Sequence, residues 1–286
     1  MKSLSDSHVA IIGLGLMGGS LAAALHGKCH VVTGIARRRE TITQALACGF
    51  IDRGTTEAQE MIGDADIVIL ATPVRTILRQ LHELGPHFSA GCLIMDMGST
   101  KNQILEAMTE LPPHVQPIGG HPMCGKEISG LAAADSDLYT NATFILSPLD
   151  RTSVEALDLA RTIVQAIGAT PLILKGDRQD RLVATLSHLP YLLACALVQT
   201  ADATTSTDPA AWQIVAGGYR DTTRVAGSDA SMMLDILTTN REAILNSASI
   251  FRDKLDQLTS LISTQDDAGL TALLSDSRTE RQRMFP

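Results

Sequence analysis

Aromatic residues, excess positive charge and long hydrophobic runs are all scarce in this sequence, and each shortage excludes a class of protein. Aromatic residues make up 3% of the 286 residues, with a single tryptophan, which argues against the base-stacking surfaces that bind single-stranded nucleic acid. Lys and Arg total 23 against 31 Asp and Glu, so the net charge of −8 provides no positive field to attract nucleic acid. The longest apolar run, Tyr191–Val198, falls short of the roughly 20 residues that cross a bilayer. We therefore expect neither a nucleic acid partner nor a membrane-embedded protein.

Cysteine is also scarce, and its arrangement excludes two kinds of structural cross-link. The five cysteines are scattered and include no Cys-x-x-Cys pair, which argues against a disulfide framework and against a structural zinc site. We predict no metal site. The segment Met1–His8 has only a short apolar run behind it, which does not make a secretory signal, so a cytoplasmic location is expected.

The chain changes character near residue 175. Upstream, short β-rich runs alternate with helical patterns, which predicts an α/β fold with a parallel sheet covered by helices on both faces. Downstream, the strand patterns stop and the chain reads as helix. We therefore predict one domain over residues 1–175 and an all-helical domain over residues 176–286. The predicted strands are His8–Ile12, His30–Ile35, Ile67–Ala71, Leu93–Met97, Gln116–Gly119, Thr143–Leu146 and Pro171–Leu174.

The helical half carries more apolar surface than one helix face requires. Apolar residues recur at three- and four-residue steps through Ser231–Ile262. Two explanations remain open: the helices pack against a second subunit, or they are buried within their own domain. The first favours a homodimer formed through the helical domain.

A glycine-rich turn near the N-terminus has the spacing of a dinucleotide site. Gly13, Gly15 and Gly18 form a Gly-x-Gly-x-x-Gly turn between an apolar strand and a helical continuation, with Leu16 and Met17 inside it. The first glycine would allow the tight turn, the second the close approach of a pyrophosphate, and the third the packing of helix on strand. N–H groups at the helix start would bind the anion. A glycine turn without a ligand is the alternative.

The residues after the second strand favour NADP over NAD. An NAD site needs an acidic residue there to bind the ribose hydroxyls, but the strand runs into Ala36, Arg37 and Arg38. Guanidinium groups suit a 2′-phosphate, and a solvated basic helix start is the alternative. A later strand ends in Thr72 and Pro73, which would touch the ribose or nicotinamide unless they only terminate the strand.

Four further segments of the sequence are informative because of their composition and their order along the chain. They are Met95-Asp-Met-Gly-Ser-Thr-Lys101, Gly119-Gly-His-Pro-Met-Cys-Gly125, Ser187-His-Leu-Pro190 and Gly218-Tyr-Arg-Asp-Thr-Thr-Arg224. Together with the glycine turn, they resemble the prephenate/arogenate dehydrogenase family of tyrosine synthesis over about Val9 to Ile262. The resemblance implies a Rossmann-like dinucleotide-binding domain followed by a helical dimerisation domain. It also implies oxidative decarboxylation of arogenate or prephenate with hydride transfer to NADP, giving tyrosine or 4-hydroxyphenylpyruvate.

Two residues are predicted to act on the substrate hydroxyl. His121 follows a short strand, so its imidazole would lie at the carboxyl edge of the sheet, where a neutral histidine accepts the alcohol proton as hydride leaves. By resemblance, Ser99 would hydrogen-bond this histidine or the hydroxyl. The alternatives are a structural histidine before Pro122 and an ordinary helix N-cap at Ser99.

Basic residues are predicted to bind the substrate carboxylates. Arg220 and Arg224 are spaced so that a helix would present both guanidiniums on one face. The resemblance assigns the ring carboxylate to Arg224, with Arg220 and Lys101 as supporting candidates. A surface ion pair with Asp221 is the alternative for Arg220.

Three residues bear on the choice between arogenate and prephenate. His188 matches a family histidine near the substrate, and a buried core histidine is the alternative. Many prephenate-using members have a second histidine where this chain has Tyr191, which weakens strict prephenate specificity. Asp180 would pair with the amino group that only arogenate carries, unless it only stabilises the start of its own helix.

Two other functions compete with this interpretation. β-Hydroxyacid dehydrogenases share a similar glycine turn but rely on a lysine in the helical domain, and only Lys254 follows Lys175 here. The second rival is a catalytically silent NADP-binding protein. The co-occurrence of Ser99, His121 and Arg224 counts against it.

Overall fold

A single sheet forms the centre of the structure, a computed structural model that describes residues 1–126 and 128–285. Its strands are β1 (His8–Ile12), β2 (Val31–Ile35), β3 (Arg53–Thr55), β4 (Ile67–Leu70), β5 (Leu93–Asp96), β6 (Gln116–Pro122), β7 (Thr143–Pro148) and β8 (Thr170–Ile173). They lie in the order β3-β2-β1-β4-β5-β6-β7-β8. The predicted α/β, Rossmann-like fold is confirmed.

One pair of neighbouring strands departs from the parallel arrangement. β6 and β7 run antiparallel, whereas the other neighbours are parallel. Between them the described residues form only a 3-10 turn at Leu131–Ala133, so no crossover helix carries the chain back for parallel pairing. The expected wholly parallel sheet is therefore wrong at this pair. β3 was not predicted because Arg53–Thr55 contains no apolar pattern.

Helices pack on both faces of the sheet, as predicted. They are α1 (Leu16–Leu25), α2 (Arg39–Ala47), α3 (Gln59–Ile62), α4 (Val74–Leu84), α5 (Asn102–Thr109) and α6 (Val154–Ala166). Successive residues of β1 point to opposite faces and so enter different cores. Val9 lies in one core with Leu21 of α1, and Ala10 lies in the other with Ile77 of α4.

After the sheet ends, the first compact unit of the chain continues as helices to Asn240. They are α7 (Gly176–Val183), a π-helical turn (Ala184–His188), α8 (Leu189–Thr205), α9 (Gly217–Thr223) and α10 (Ala230–Thr239). The π turn precedes Pro190, which has no N–H to donate to the preceding turn. The expectation of helix throughout the chain after residue 175 fails over residues 209–216, where only a 3-10 turn at Ala211–Gln213 forms.

The second compact unit, residues 241–286, contains α11 (Arg241–Ser263) and α12 (Asp267–Met284). Asp266 accepts a hydrogen bond from the backbone N–H of Gly269 at 2.9 Å and so caps the start of α12. All the secondary-structure elements described after residue 175 are helices or helical turns. The boundary between the two compact units, however, lies after Asn240 and not at residue 175. The predicted domain boundary at 175/176 stays a prediction.

The continuous helical run Gly176–Thr205 is notable for how little of it the chain covers. Among the described residues it is the stretch that is long and apolar enough to cross a membrane, by length and composition alone. Only 22% of its most apolar window is buried inside the chain. Most of this apolar surface is therefore open in a single copy.

Candidate active site

The glycine turn has the backbone geometry that an approaching anion requires. Gly13 has φ +105°, a conformation that L side chains rarely adopt, and its N–H donates to the carbonyl of Ile35 at 2.8 Å. A Cβ on Gly18 would lie 1.9 Å from the carbonyl oxygen of Gly13, so α1 needs glycine there to approach the turn. A Cβ on Gly15 would meet nothing within 4 Å, and Gly15 begins α1 without a side-chain cap. The turn therefore presents open backbone at a helix N-terminus.

The other predicted cofactor residues surround this turn or follow β2. Leu16 is buried and Met17 is half-buried, and the carbonyl of Met17 accepts a hydrogen bond from the Tyr139 hydroxyl at 2.6 Å. A Cβ on Gly13 would lie 2.7 Å from Cγ2 of Thr72, so the end of β4 adjoins the turn. The Thr72 hydroxyl donates to the side chain of Gln80 at 2.8 Å. Pro73 follows at the start of α4 and is exposed.

The basic segment after β2 is open. Ala36 pairs with the sheet, its N–H donating to the carbonyl of Thr55 at 3.3 Å. Arg37 and Arg38 are exposed, and neither guanidinium forms an ion pair with any residue in 1–126 or 128–285. No acidic residue stands at the end of β2, which runs Val31-Val-Thr-Gly-Ile35.

A fully buried ion pair joins the end of β5 to the residue that precedes α5. The carboxylate of Asp96 pairs with the ammonium of Lys101 and accepts backbone N–H groups from Gly98 at 2.7 Å and Gly120 at 3.0 Å. Burial raises the pKa of Asp96 and lowers the pKa of Lys101, and their attraction opposes both shifts. The Lys101 ammonium is therefore not free for a substrate carboxylate, and that prediction is corrected.

Asp180 also has a role inside the protein. Its carboxylate, in a residue only 1% exposed, accepts the backbone N–H groups of Lys101 at 2.7 Å and Asn102 at 2.8 Å. It thus caps the N-terminus of α5 from α7. The predicted contact with a substrate amine is corrected accordingly, and so is the alternative that Asp180 stabilises only its own helix.

Two buried histidines lie in this region. His121 stands within β6, not after it, and its pKa is lowered to about 3 by burial first and then by the charges of Lys101 and His188. His188 ends the π turn with Nδ1 3.3 Å from the amide nitrogen of Asn240, and burial lowers its pKa to about 4. Both imidazoles are therefore neutral at pH 7 and able to accept protons. We call Asp96, Lys101, His121, Asp180 and His188 the buried cluster.

Three predicted residues lie outside the buried cluster. Ser99 is half-buried between β5 and α5, and its hydroxyl makes no hydrogen bond to the described part of the chain. It is not the N-cap of α5, because that cap comes from Asp180. Arg220 lies in the last turn of α9, and Arg224 begins the 3-10 turn that follows; both are exposed. We call residues 220–224 the arginine turn.

The arginine turn keeps the predicted helical path. Arg224 has φ −49° and ψ −45°, so the chain remains helical from one arginine to the other. α9 and the following 3-10 turn pack against α8, the helix that starts immediately after His188. The alternative ion pair between Arg220 and Asp221 is not formed within residues 1–126 and 128–285.

The model of the prephenate dehydrogenase nucleotide-binding domain matches residues 21–172, and the model of the prephenate dehydrogenase dimerization domain matches residues 175–276. The chain belongs to the prephenate/arogenate dehydrogenase family. A prephenate dehydrogenase of Lactococcus lactis is 33% identical over 282 residues, which are 96% of this chain and 77% of that protein.

Two solved structures of family members superpose over nearly the whole chain. Aquifex aeolicus prephenate dehydrogenase, in complex with hydroxyphenyl propionate and NAD+, is 30% identical with a TM-score of 0.91, covering 99% of this chain and 100% of that one. Synechocystis arogenate dehydrogenase is 32% identical with a TM-score of 0.85, covering 97% and 99%. This chain is therefore an oxidoreductase of the prephenate/arogenate dehydrogenase type with a nucleotide-binding domain, and the predicted family is confirmed.

Sequence reasoning missed three buried polar residues of the region. Asp96 carried a usable signal, because an acidic residue ends an otherwise apolar strand. Gln179 is fully buried beside Asp180, and Asn240 donates from its side-chain amide to the carbonyl of Asp180 at 2.8 Å. Neither position carries a sequence pattern that distinguishes it from a surface amide.

Proposed function

We propose that this chain is a cytoplasmic enzyme that catalyses the oxidative decarboxylation of arogenate, prephenate or both, with NADP as its preferred hydride acceptor. The observation that carries the proposal is the neutral, buried imidazole of His121 at the carboxyl end of β6. β1, β4, β5 and β6 run parallel, so their carboxyl ends, and with them the glycine turn, share one edge of the sheet.

The reaction takes a hydride and a proton from one carbon and its hydroxyl. When bound, the oxidised nicotinamide supplies the hydride acceptor. His121 accepts the hydroxyl proton as the hydride leaves, which gives a ring ketone. The bond from the ring to its carboxylate then breaks, CO2 leaves, and the electron pair enters the ring, which becomes aromatic. The former ketone oxygen regains the proton that His121 holds.

The remaining site residues would bind and orient. Ser99 would hydrogen-bond the substrate hydroxyl, and His188 would line the substrate site beside His121. Arg224 would bind the ring carboxylate and Arg220 the side-chain carboxylate, since guanidinium groups bind carboxylates bidentately. The main contribution of the protein to this reaction would be to position the two substrate carboxylates and the hydride acceptor relative to one another.

The open glycine turn and the exposed arginines support a bound NADP. Gly13, Gly15 and Gly18 would hold the pyrophosphate on backbone N–H groups. Arg37 and Arg38 would bind the 2′-phosphate, because both are exposed and no carboxylate occupies the end of β2.

We further propose a homodimer formed through the helical half. The support is the match to a dimerization domain over residues 175–276 and the uncovered apolar surface of Gly176–Thr205. A second subunit would cover that surface more simply than a membrane, because the run also contains buried polar residues such as Asp180 and His188.

Parallel initial-rate assays test the proposal. Purified enzyme is given arogenate or prephenate with NADP or NAD, and reduced nicotinamide is followed at each combination. Faster NADP reduction supports the cofactor assignment, and arogenate alone reacting identifies an amine-dependent enzyme. If no combination reacts while either dinucleotide still binds, the chain is a catalytically silent dinucleotide-binding protein and the proposed activity is wrong. Family membership does not favour the β-hydroxyacid alternative.

A further inference from the structure

Two complementary polar atoms are buried without partners at the candidate active site. Nδ1 of His121 and Oε1 of Gln179 are both sealed from solvent, and neither forms a hydrogen bond with any residue in 1–126 or 128–285. One is a ring nitrogen that can carry a hydrogen, and the other is a pure acceptor. Burial of unpaired polar groups is unfavourable, so two such atoms in one region point to a hydrogen bond that the two side chains make with each other.

Asp180 fixes which end of the Gln179 amide is available. The amide nitrogen of Gln179 donates to a carboxylate oxygen of Asp180 at 3.2 Å. A carboxylate cannot donate, so the nitrogen must face it and Oε1 must point elsewhere. Asp180 is itself held by the backbone N–H groups of Lys101 and Asn102, which makes the amide orientation part of the packing of α7 on α5.

We propose that Gln179 is a positioning residue that holds His121 in the tautomer needed for proton abstraction. Oε1 of Gln179 accepts the hydrogen on Nδ1, so Nε2 keeps its lone pair for the substrate hydroxyl. This assignment rests on the proposed function, in which His121 accepts that proton. A series of hydrogen bonds would thus run from the backbone of α5 to Asp180, from Asp180 to Gln179, and from Gln179 to the imidazole of His121.

The electrostatic surroundings agree with this arrangement. The charged or titratable groups that act on His121 are Lys101 and His188, and both lower its pKa. The side chain of Gln179 acts in the opposite direction and raises it, as an acceptor facing the imidazole does. Gln179 would thus favour both the correct tautomer and the uptake of the substrate proton.

The kinetic test replaces the amide by an isosteric side chain without a strong acceptor. Gln179→Met is expected to lower kcat by about 10- to 100-fold, within the usual contribution of an oriented general base, while KM changes less than about threefold. The acidic limb of its kcat–pH profile should move to lower pH. Gln179→Glu keeps the acceptor oxygen but loses the N–H donated to Asp180, so its kcat should lie between those of Gln179→Met and the wild type, with the limb at higher pH.

Gln116→Met is the matched control. Gln116 begins the same strand as His121, and its side-chain oxygen accepts the backbone N–H of Ser153 at 2.9 Å. Loss of that structural hydrogen bond should leave the kcat–pH profile unchanged. A Gln179→Met enzyme with wild-type kcat and pH profile overturns the proposal.

A spectroscopic measurement reports the tautomer without turnover. In the 15N-histidine-labelled wild-type protein at pH 7.5, the His121 signals, assigned by their loss in His121→Asn, should show hydrogen on Nδ1 and none on Nε2. In Gln179→Met the Nε2–H form should appear. A wild-type protein with hydrogen on Nε2 overturns the inference even if it reduces NADP, whereas the Nδ1–H form in a protein that oxidises neither substrate supports the contact and refutes the proposed reaction.

Discussion

The buried cluster and the arginine turn differ in where their charged groups lie: inside the protein in the cluster and at its surface in the turn. In the cluster, Asp96 and Asp180 have their partners inside the chain, and the two histidines stay neutral. In the arginine turn, both guanidiniums belong to exposed side chains. Because water screens exposed charges and burial magnifies unpaired ones, the two regions respond differently to the loss of one group. Under the proposed function, the proton acceptor would therefore lie in the core and the anion-binding guanidiniums at the surface.

Removing the proton acceptor should produce the largest effect. His121→Asn is expected to lower kcat by about 10³-fold, because the imidazole that would accept the hydroxyl proton is lost. The dissociation constant of NADPH, measured by the change in its fluorescence on binding, should change less than about threefold. Turnover above about a tenth of the wild-type value would contradict the role of His121.

Breaking the buried ion pair should cost more stability than breaking an exposed one. Asp96→Asn leaves the Lys101 ammonium without a carboxylate in the core, and we expect a loss of about 3–5 kcal/mol in the free energy of unfolding. The exposed pair Arg161–Asp158, at 2.9 Å, is the matched control, and Asp158→Asn should cost less than about 1 kcal/mol. Urea unfolding at pH 7 measures both.

The double variant Asp96→Asn/Lys101→Met separates charge from packing. It removes the stranded ammonium, so it should recover part of the stability lost in the single variant. Equal losses in Asp96→Asn and Asp158→Asn would show that burial of the pair has no energetic consequence.

The arginine turn should respond in substrate binding alone. Arg224→Ala is expected to raise the substrate KM by about 10- to 100-fold, because one charge-assisted, bidentate contact is lost, with little change in unfolding free energy. Arg161→Ala removes a guanidinium on α6 whose side chain is 43% exposed, and it should leave KM unchanged. An unaltered KM in Arg224→Ala would show that another cationic residue binds the ring carboxylate.

The glycine turn shows what could be predicted from the sequence. Glycine encodes backbone geometry locally, so the spacing of Gly13 and Gly18 was enough to predict a tight turn and a close helix. The left-handed φ of Gly13 and the 1.9 Å approach at Gly18 match those roles. The alternation of short apolar runs with helical patterns likewise predicted most strands, because both signals depend on near neighbours.

Lys101 and Asp180 show why the site was harder to predict. Both were assigned to substrate because charged residues in a motif suggest ligands, yet both are buried. The two residues are 79 positions apart, and their contact depends on how α7 packs on α5. A residue type carries its charge, whereas its burial is decided by tertiary packing that no local pattern encodes.

The pH dependence of stability tests the neutral state of His188. Its folded pKa of about 4 lies below the ordinary value of about 6.5, so between these values the unfolded chain binds the proton and the folded chain does not. Stability from this residue is therefore complete above about pH 6.5 and is lost as pH falls toward 4, by at most about 1.4 kcal/mol per pH unit.

Urea unfolding of wild type and His188→Asn at pH 7, 6 and 5 isolates this contribution. The variant loses a hydrogen-bond partner of Asn240 at every pH, which shifts its curve by a constant, whereas the missing titration makes its slope shallower. Arg224→Ala is the contrasting variant, because a guanidinium does not titrate in this range, so its curve should run parallel to that of the wild type. If the stability–pH curve of His188→Asn also ran parallel to that of the wild type, the pKa of His188 would be the same in the folded and unfolded chains. The buried cluster would then be as accessible to solvent as the arginine turn.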